Sequence, residues 1–124
     1  MILVLLAGLG GTLAALEATG QAVRVLRTDM RAYCQAFEAV TYLGYGPDDR
    51  AVARRWLHDV KAFATFRVPP APRHVHPWAW SVAMAPMRAT VFRDASVVRV
   101  MSASGALPAY LAHRWWGVPY VVHV

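Results

Sequence analysis

The first seven residues, "MILVLLA", form an apolar run without a polar side chain, and Gly8 follows it directly. A strand with one face in water alternates apolar and polar residues, whereas a strand buried on both faces does not. The run therefore predicts a strand inside a sheet that is covered on both faces. A chain of 124 residues can build such a sheet as one domain, which we place over residues 1–124.

Further strand-like runs alternate with segments of helical pattern along the chain. We expect these strands at 22–26, 39–45, 64–68, 96–101 and 119–124. The helical segments are expected at 12–19, 30–38, 48–63, part of 81–92, and 105–116. Because strands that alternate with helices form parallel sheets with right-handed crossovers, the sequence predicts an α/β fold. We expect an open, Rossmann-like, mostly parallel sheet with helices on both faces.

The apolar start of the chain has a second interpretation, as a signal peptide or a membrane anchor. Residues 1–16 carry no charge. They are short for a membrane span, which needs about 20 residues, and no basic residue precedes the apolar run as in a signal peptide. Three glycines, Gly8, Gly10 and Gly11, interrupt this segment. We therefore favour a strand, a glycine turn and a helix capped by Thr12.

The charge of the chain favours an anionic partner. The net charge is +6, and twelve of the thirteen basic residues are arginine. Phosphate, anionic lipid and nucleic acid all fit this charge, and of the macromolecular partners we expect a membrane surface rather than nucleic acid. Cys34 is the single cysteine, which excludes an internal disulfide and suits a reducing compartment. We expect a cytoplasmic protein that can lie at the inner face of the cell membrane.

The glycine turn after the first strand is a candidate binding site. Ligands of parallel sheets bind beyond the carboxyl ends of the strands, and Gly10, Gly11 and Thr12 fall there. Glycines let the backbone approach a phosphate, and free N–H groups at the helix start would point at it. The spacing G-x-G-G is neither the dinucleotide pattern nor a nucleoside triphosphate loop. A tight turn packed against a neighbouring helix remains the alternative.

The stretch "DASVVRVMSASGALPAYLAHRWWGVPYVVHV" (94–124) resembles the N-terminal half of retaining GT-B glycosyltransferases of the family-four type. "TGQAVRVL" (19–26) is similar to a second segment of the same proteins, with Gln21 in place of the usual His. In the longer stretch the matching residues are Asp94, Val97, Val98, Gly105, Leu107, Pro108, Ala109, Leu111, Ala112, Arg114, Gly117, Val118, Pro119, Val121 and Val122.

The resemblance implies a domain that binds the acceptor of a sugar-transfer reaction. Its partners would be a nucleotide-sugar and an acceptor, with a second domain holding the nucleotide-sugar. The second domain's pair of glutamates has seven residues between its members, and Glu17 and Glu38, the two glutamates here, do not form such a pair. The family's active-site histidine would fall one residue after Val124. We therefore expect an acceptor-side domain that is inactive alone.

Two further features of the resemblance concern the fourth strand of the family. Arg99 and Met101 stand where relatives often carry histidines. Ser102, Ser104 and Gly105 follow, and we interpret them as candidate acceptor contacts. A plain turn with a helix cap is the alternative for these three residues.

An aromatic and basic segment, "RHVHPWAW" (73–80), suits a membrane interface. Indole rings lie at the headgroups of a bilayer, and arginine binds lipid phosphates. The predicted membrane contacts are Arg73, Trp78, Trp80 and Arg88, with burial of one or both tryptophans as the alternative.

His74 and His76 lack an evident third ligand, so we expect no metal site. We also expect no cofactor. Two other functions remain open. One is a stand-alone module that binds a nucleotide or phosphate, and the other is a non-catalytic domain that binds a membrane or a partner protein.

Overall fold

The computed structural model describes residues 1–8, 11–21, 23–60, 63–69 and 71–122. Its strands are β1 (Ile2–Leu6), β2 (Ala39–Gly44), β3 (Phe63–Arg67), β4 (Val97–Val100) and β5 (Tyr120–Val122). A π-helix spans Val23–Asp29, and a short 3₁₀ turn spans Ala103–Gly105. The α-helices are α1 (Leu13–Ala18), α2 (Met30–Ala36), α3 (Asp49–Leu57), α4 (Pro77–Val82), α5 (Met84–Met87), α6 (Ala89–Asp94) and α7 (Ala106–Trp116).

The five strands form one sheet in the order β3-β2-β1-β4-β5. Every neighbouring pair is parallel, with β1 in the centre. Leu3 pairs with Val40 on one side and with Val97 on the other. The predicted α/β class and the Rossmann-like parallel sheet are confirmed.

Two apolar cores cover the two faces of the sheet, as the uninterrupted run in β1 predicts. Leu3 and Leu5 point into the core under α1, the π-helix, α2 and α3. Val4 and Leu6 point into the core under the helices α4 to α7. All four side chains are buried because both faces of the central strand are covered.

The segment 22–26 is not a strand, and this prediction was wrong; residue 22 lies outside the described residues. Residues 23–26 begin the π-helix, and the Val25 N–H donates a hydrogen bond to the Gln21 carbonyl oxygen at 3.0 Å. Val25 and Leu26 are consecutive and both buried, whereas Arg24 and Arg27 are exposed. A strand would place two consecutive side chains on opposite faces. Both edges of β1 are already paired with β2 and β4, so the sheet leaves no place beside β1 for this segment.

The start of the chain forms the predicted strand, turn and helix. Thr12 caps α1 by accepting the N–H of Ala15 at 2.9 Å, and Gly20 follows the helix with φ of 76°. Such a φ is unfavourable for residues with a side chain. None of the helices in the described ranges is both long enough and apolar enough to cross a bilayer.

Candidate functional site

The strand order creates a crevice beyond the carboxyl ends of β1 and β4. From β1 the chain reaches β2 and β3 under one layer of helices, and after β3 it crosses to β4 and β5 under the other layer. The order therefore reverses between β1 and β4. Sheets of this kind bind ligands at such a reversal, which makes this edge the first place to look for a site.

The end of β1 lies directly against the segment that follows β4. A Cβ atom added to Gly8 would lie 2.1 Å from Ser102 Oγ, and one added to Gly105 would lie 2.6 Å from the Ala7 carbonyl oxygen. The hydroxyl groups of Ser102 and Ser104 are hydrogen-bonded to each other at 2.9 Å. The predicted site residues Ser102, Ser104 and Gly105 thus lie against the end of β1, at the same edge of the sheet as the glycine turn. Gly10, which belongs to that turn, lies outside the described residues.

The backbone N–H groups expected to receive a phosphate are largely engaged within the protein. Gly11 donates to the Gly8 carbonyl at 2.8 Å. Leu13 donates to Asp49 Oδ1 at 2.8 Å, and Ala15 donates to Thr12. The expectation of free N–H groups is therefore wrong for these three residues.

Asp49 places a carboxylate at the start of α1. Its side chain is buried, and Oδ2 accepts the Gly46 N–H at 3.3 Å. Burial raises the pKa of Asp49 above its ordinary value, while the hydrogen bonds from Leu13 and Gly46 act in the opposite direction. A carboxylate here would repel a phosphate, so the helix start is better suited to stabilising the turn than to binding an anion.

A cavity of about 350 Å³ opens beside this turn, between the strand ends and the helices α1 and α2. Gly8, Gly11 and Thr12 line it where β1 leads into α1. The rest of its apolar lining includes Leu5, Leu16, Val25, Met30, Tyr42 and Met101, and its polar lining includes Gln21, Arg24, Asp29, Tyr33 and Arg99. Its size and mixed lining are those of a small-molecule site. Ser102, Ser104 and Gly105 lie next to Gly8 but outside this lining.

Two arginines supply the positive charge of the cavity. Arg99 donates a hydrogen bond to the Tyr33 hydroxyl, and its guanidinium lies 5.4 Å from the centre of the Tyr33 ring. Arg24 is exposed and donates to Gln21 Oε1 at 2.7 Å. Both arginines can offer further N–H donors to a ligand, because a guanidinium carries five.

Sequence reasoning missed most of the polar groups of the cavity. Arg24 was assigned to a strand, and Asp29 and Tyr33 received no role. Arg99 and Met101 were noted only as departures from histidine, yet both line the cavity. Their spacing on β4 was a usable signal, since residues two apart point to the same face and these two flank the strand end.

The four predicted membrane contacts have different environments. Arg73 and Trp78 are exposed. Trp80 is half-buried and donates its indole N–H to the Pro69 carbonyl at 2.7 Å. Arg88 is also half-buried, and it donates to the Arg67 carbonyl and lies 5.5 Å from the centre of the Phe66 ring. Trp80 and Arg88 thus have contacts within the protein, and only Arg73 and Trp78 are freely presented.

The paired histidines have a structural contact rather than a metal-ligand arrangement. His76 accepts the N–H of Trp78 through Nδ1 at 3.2 Å and so caps α4. Within the residues that the structure describes, no three His, Cys, Asp or Glu side chains are grouped to hold a metal ion.

The fold is an α/β domain of the Rossmann-like class, with a cavity at the strand reversal. No protein-family model matches the chain, and no curated protein matches it. Among solved structures it is similar to the C-terminal domain of a hydrogenase from Pyrococcus furiosus. The TM-score is 0.58 at 12% identity, over 99% of this chain and 91% of the other. At that identity the similarity establishes the fold alone.

Proposed function

We infer that this chain is the acceptor-side domain of a GT-B-type glycosyltransferase and binds its acceptor in the cavity beside the glycine turn. The observation that carries this proposal is the cavity's position at the reversal between β1 and β4. Tyr33, Tyr42 and Met101 offer apolar surface, while Arg24, Gln21 and Asp29 offer hydrogen-bonding groups. A sugar or polyol presents both kinds of surface, with carbon–hydrogen faces and hydroxyl groups.

The N–H groups at the start of α1 are already hydrogen-bonded within the protein, which favours this function over a stand-alone module that binds a nucleotide or phosphate. A phosphate at the turn would need N–H groups that Gly8, Thr12 and Asp49 already occupy. In the proposed enzyme a second domain holds the nucleotide-sugar. Since positioning across two domains supplies most of the rate, residues 1–124 by themselves are expected to bind acceptor without transferring sugar.

Calorimetric titration with inositol and alkyl glycosides tests this proposal, with inorganic phosphate, ADP and UDP as the rival ligands. We expect a polyol or glycoside to bind, and Arg24→Met to weaken that binding about tenfold, as the loss of one charge-assisted contact does. Arg93→Met is the matched control, because Arg93 is exposed on α6, away from the cavity. Tight binding of UDP or phosphate with no response to the sugars would favour the rival module.

A second candidate function, attachment to an anionic membrane, is favoured by an asymmetry between the two helical layers. Residues 11–60 hold six arginines and six acidic residues, whereas residues 71–122 hold five arginines and one acidic residue, Asp94. One of those five, Arg99, faces the first layer, so the second layer has four arginines against one acidic residue. The second layer also carries most of the large exposed apolar side chains: Trp78, Val82, Met87, Leu107, Tyr110 and Trp115. Basic charge beside exposed apolar side chains is typical of surfaces that lie on anionic bilayers. We propose that this layer contacts the inner face of the cell membrane from the cytoplasm.

Co-sedimentation with phosphatidylserine vesicles tests the membrane contact. We expect binding that weakens as salt rises, because the Debye length shortens. The double variant Trp78→Ala, Trp115→Ala should bind several-fold more weakly. Phe37→Ala is the control, since Phe37 is a half-buried aromatic residue at the end of α2, in the other helical layer. Equal binding to neutral phosphatidylcholine vesicles would contradict the proposal.

A further inference from the structure

A second concave surface lies between α3 and the edge strand β3. This α3–β3 groove has a volume of about 360 Å³. Arg50, Arg54 and His58 line its helix side, and Phe63 and Thr65 line its strand side. It is separate from the cavity at the strand reversal, because none of these residues lines that cavity.

The helix side of the groove carries two unpaired positive charges one turn apart. Arg50 and Arg54 are exposed, and within the described ranges neither takes part in an ion pair or hydrogen bond. Arg55 on the same helix differs, since it pairs with Glu17 at 2.7 Å. Like charges four residues apart on a helix destabilise it slightly. Within the described ranges, no anionic group offsets the repulsion between Arg50 and Arg54, and an anionic partner would do so.

The strand side of the groove is an open edge of the sheet. Val68 donates its N–H to the Gly44 carbonyl of β2 at 2.8 Å. Backbone groups alternate in direction along a strand, so the N–H and C=O of Thr65 point away from β2. No described residue hydrogen bonds to these two groups of Thr65. The outward carbonyl of Arg67 accepts from Arg88, so the open part of the edge is its first half. An edge of this kind can pair with an added strand.

The spacing of the arginines matches the spacing of side chains on an extended peptide. Arg50 and Arg54 are four residues apart, which is about 6 Å along a helix axis at 1.5 Å per residue. Alternate residues of a strand are about 6.7 Å apart and point to the same face. A strand added beside β3 would present alternate side chains to the face that α3 covers.

We propose that the α3–β3 groove binds an extended peptide with acidic residues at alternate positions, which pairs with the free edge of β3 and places its carboxylates on Arg50 and Arg54. The backbone pairing supplies general affinity, and the charges select the register. A second copy of this chain is a poorer occupant of the groove, because it would bring the same arginines together. The open backbone edge favours a peptide over nucleic acid, whose phosphates would use only the arginines.

Fluorescence anisotropy with a labelled ten-residue peptide of alternating glutamate and valine tests this proposal. A peptide of the same composition, with its glutamates in one block, is the comparison. We expect the alternating peptide to bind at least about tenfold more tightly. The double variant Arg50→Gln, Arg54→Gln should lose about tenfold in affinity, whereas Arg93→Gln, Arg114→Gln removes the same charge elsewhere and should change affinity less than about twofold.

Thr65→Pro tests the strand edge separately from the charges. Proline removes the outward N–H and is tolerated on edge strands, so we expect the fold to persist by circular dichroism while peptide binding falls at least about tenfold. Unchanged binding by a folded Thr65→Pro variant would overturn the proposal. So would equal binding of the two peptides, or tighter binding of single-stranded DNA. Arg24→Met should leave peptide binding intact, which keeps this test independent of the sugar-binding one.

Discussion

Replacing Asp49 with alanine is expected to lower the free energy of unfolding by about 2 kcal/mol, which is the scale of a buried donor left without its acceptor. The carboxylate accepts the N–H of Leu13 and the N–H of Gly46, and it is buried. Alanine would leave both donors unpaired. Urea denaturation followed by circular dichroism measures the change.

Asp48→Ala is the matched control for that measurement. Asp48 is exposed, and its side chain makes no capping bond to α3, so we expect a change within about 0.5 kcal/mol. A similar loss from both variants would show that charge near the helix start matters more than the two hydrogen bonds.

The pH dependence of the same variant separates charge from hydrogen bonding. The pKa of Asp49 is raised in the folded state, so the folded state holds this proton more firmly than the unfolded state does. The ordinary pKa of an aspartate is 3.8. The stability that this carboxyl contributes is therefore fully present below pH 3.8 and is lost as pH rises through the higher folded-state pKa. The stability of the native protein relative to Asp49→Asn should decline over that window. A relative stability that rises with pH would contradict the assigned shift.

Gly105→Ala is expected to cost about 2–3 kcal/mol, because the new methyl group would meet backbone rather than a movable side chain. Its Cβ would lie 2.6 Å from the Ala7 carbonyl oxygen and 3.1 Å from Val100 Cγ1. Relief requires β1 and the turn after β4 to separate. Thermal unfolding measures the loss, and ligand titration should show weaker binding at the adjoining cavity.

Ala103→Ser is the control for Gly105→Ala, since Ala103 lies in the same 3₁₀ turn and is exposed. We expect it to change stability by less than about 0.5 kcal/mol. If Gly105→Ala proved equally mild, the close contact between the ends of β1 and β4 would be absent in solution.

The sheet was largely predictable from sequence because its strands are read from local apolar runs. β1 and β4 carry such runs, and their burial on the sheet follows from them. The 22–26 segment was not predictable in the same way. "AVRVL" suits a strand by composition, but Val25 and Leu26 are both buried and the pairing of β1 with β2 and β4 leaves no edge for it. Local sequence carries no information on that competition.

In the candidate site, too, residues next to a strand were predictable, whereas residues whose contacts are distant in sequence were not. Gly11, Thr12 and Ser102 were identified because they follow strands directly. Asp49 was not, since it lies 36 residues from the Leu13 N–H that it accepts. The contact between Arg99 and Tyr33 spans 66 residues. Roles of this kind arise only when distant elements meet.

Because β1 is the central strand, its two edges can be paired only at different times during synthesis of the chain. β1 can pair with β2 once about forty residues have been made, since Leu3 meets Val40. Its other edge must wait for Val97. For much of translation the most apolar strand of the chain is therefore an open edge, which is where nascent chains aggregate. We expect β1 to be most prone to pairing with other chains during that interval, and the late arrival of β4 to end it.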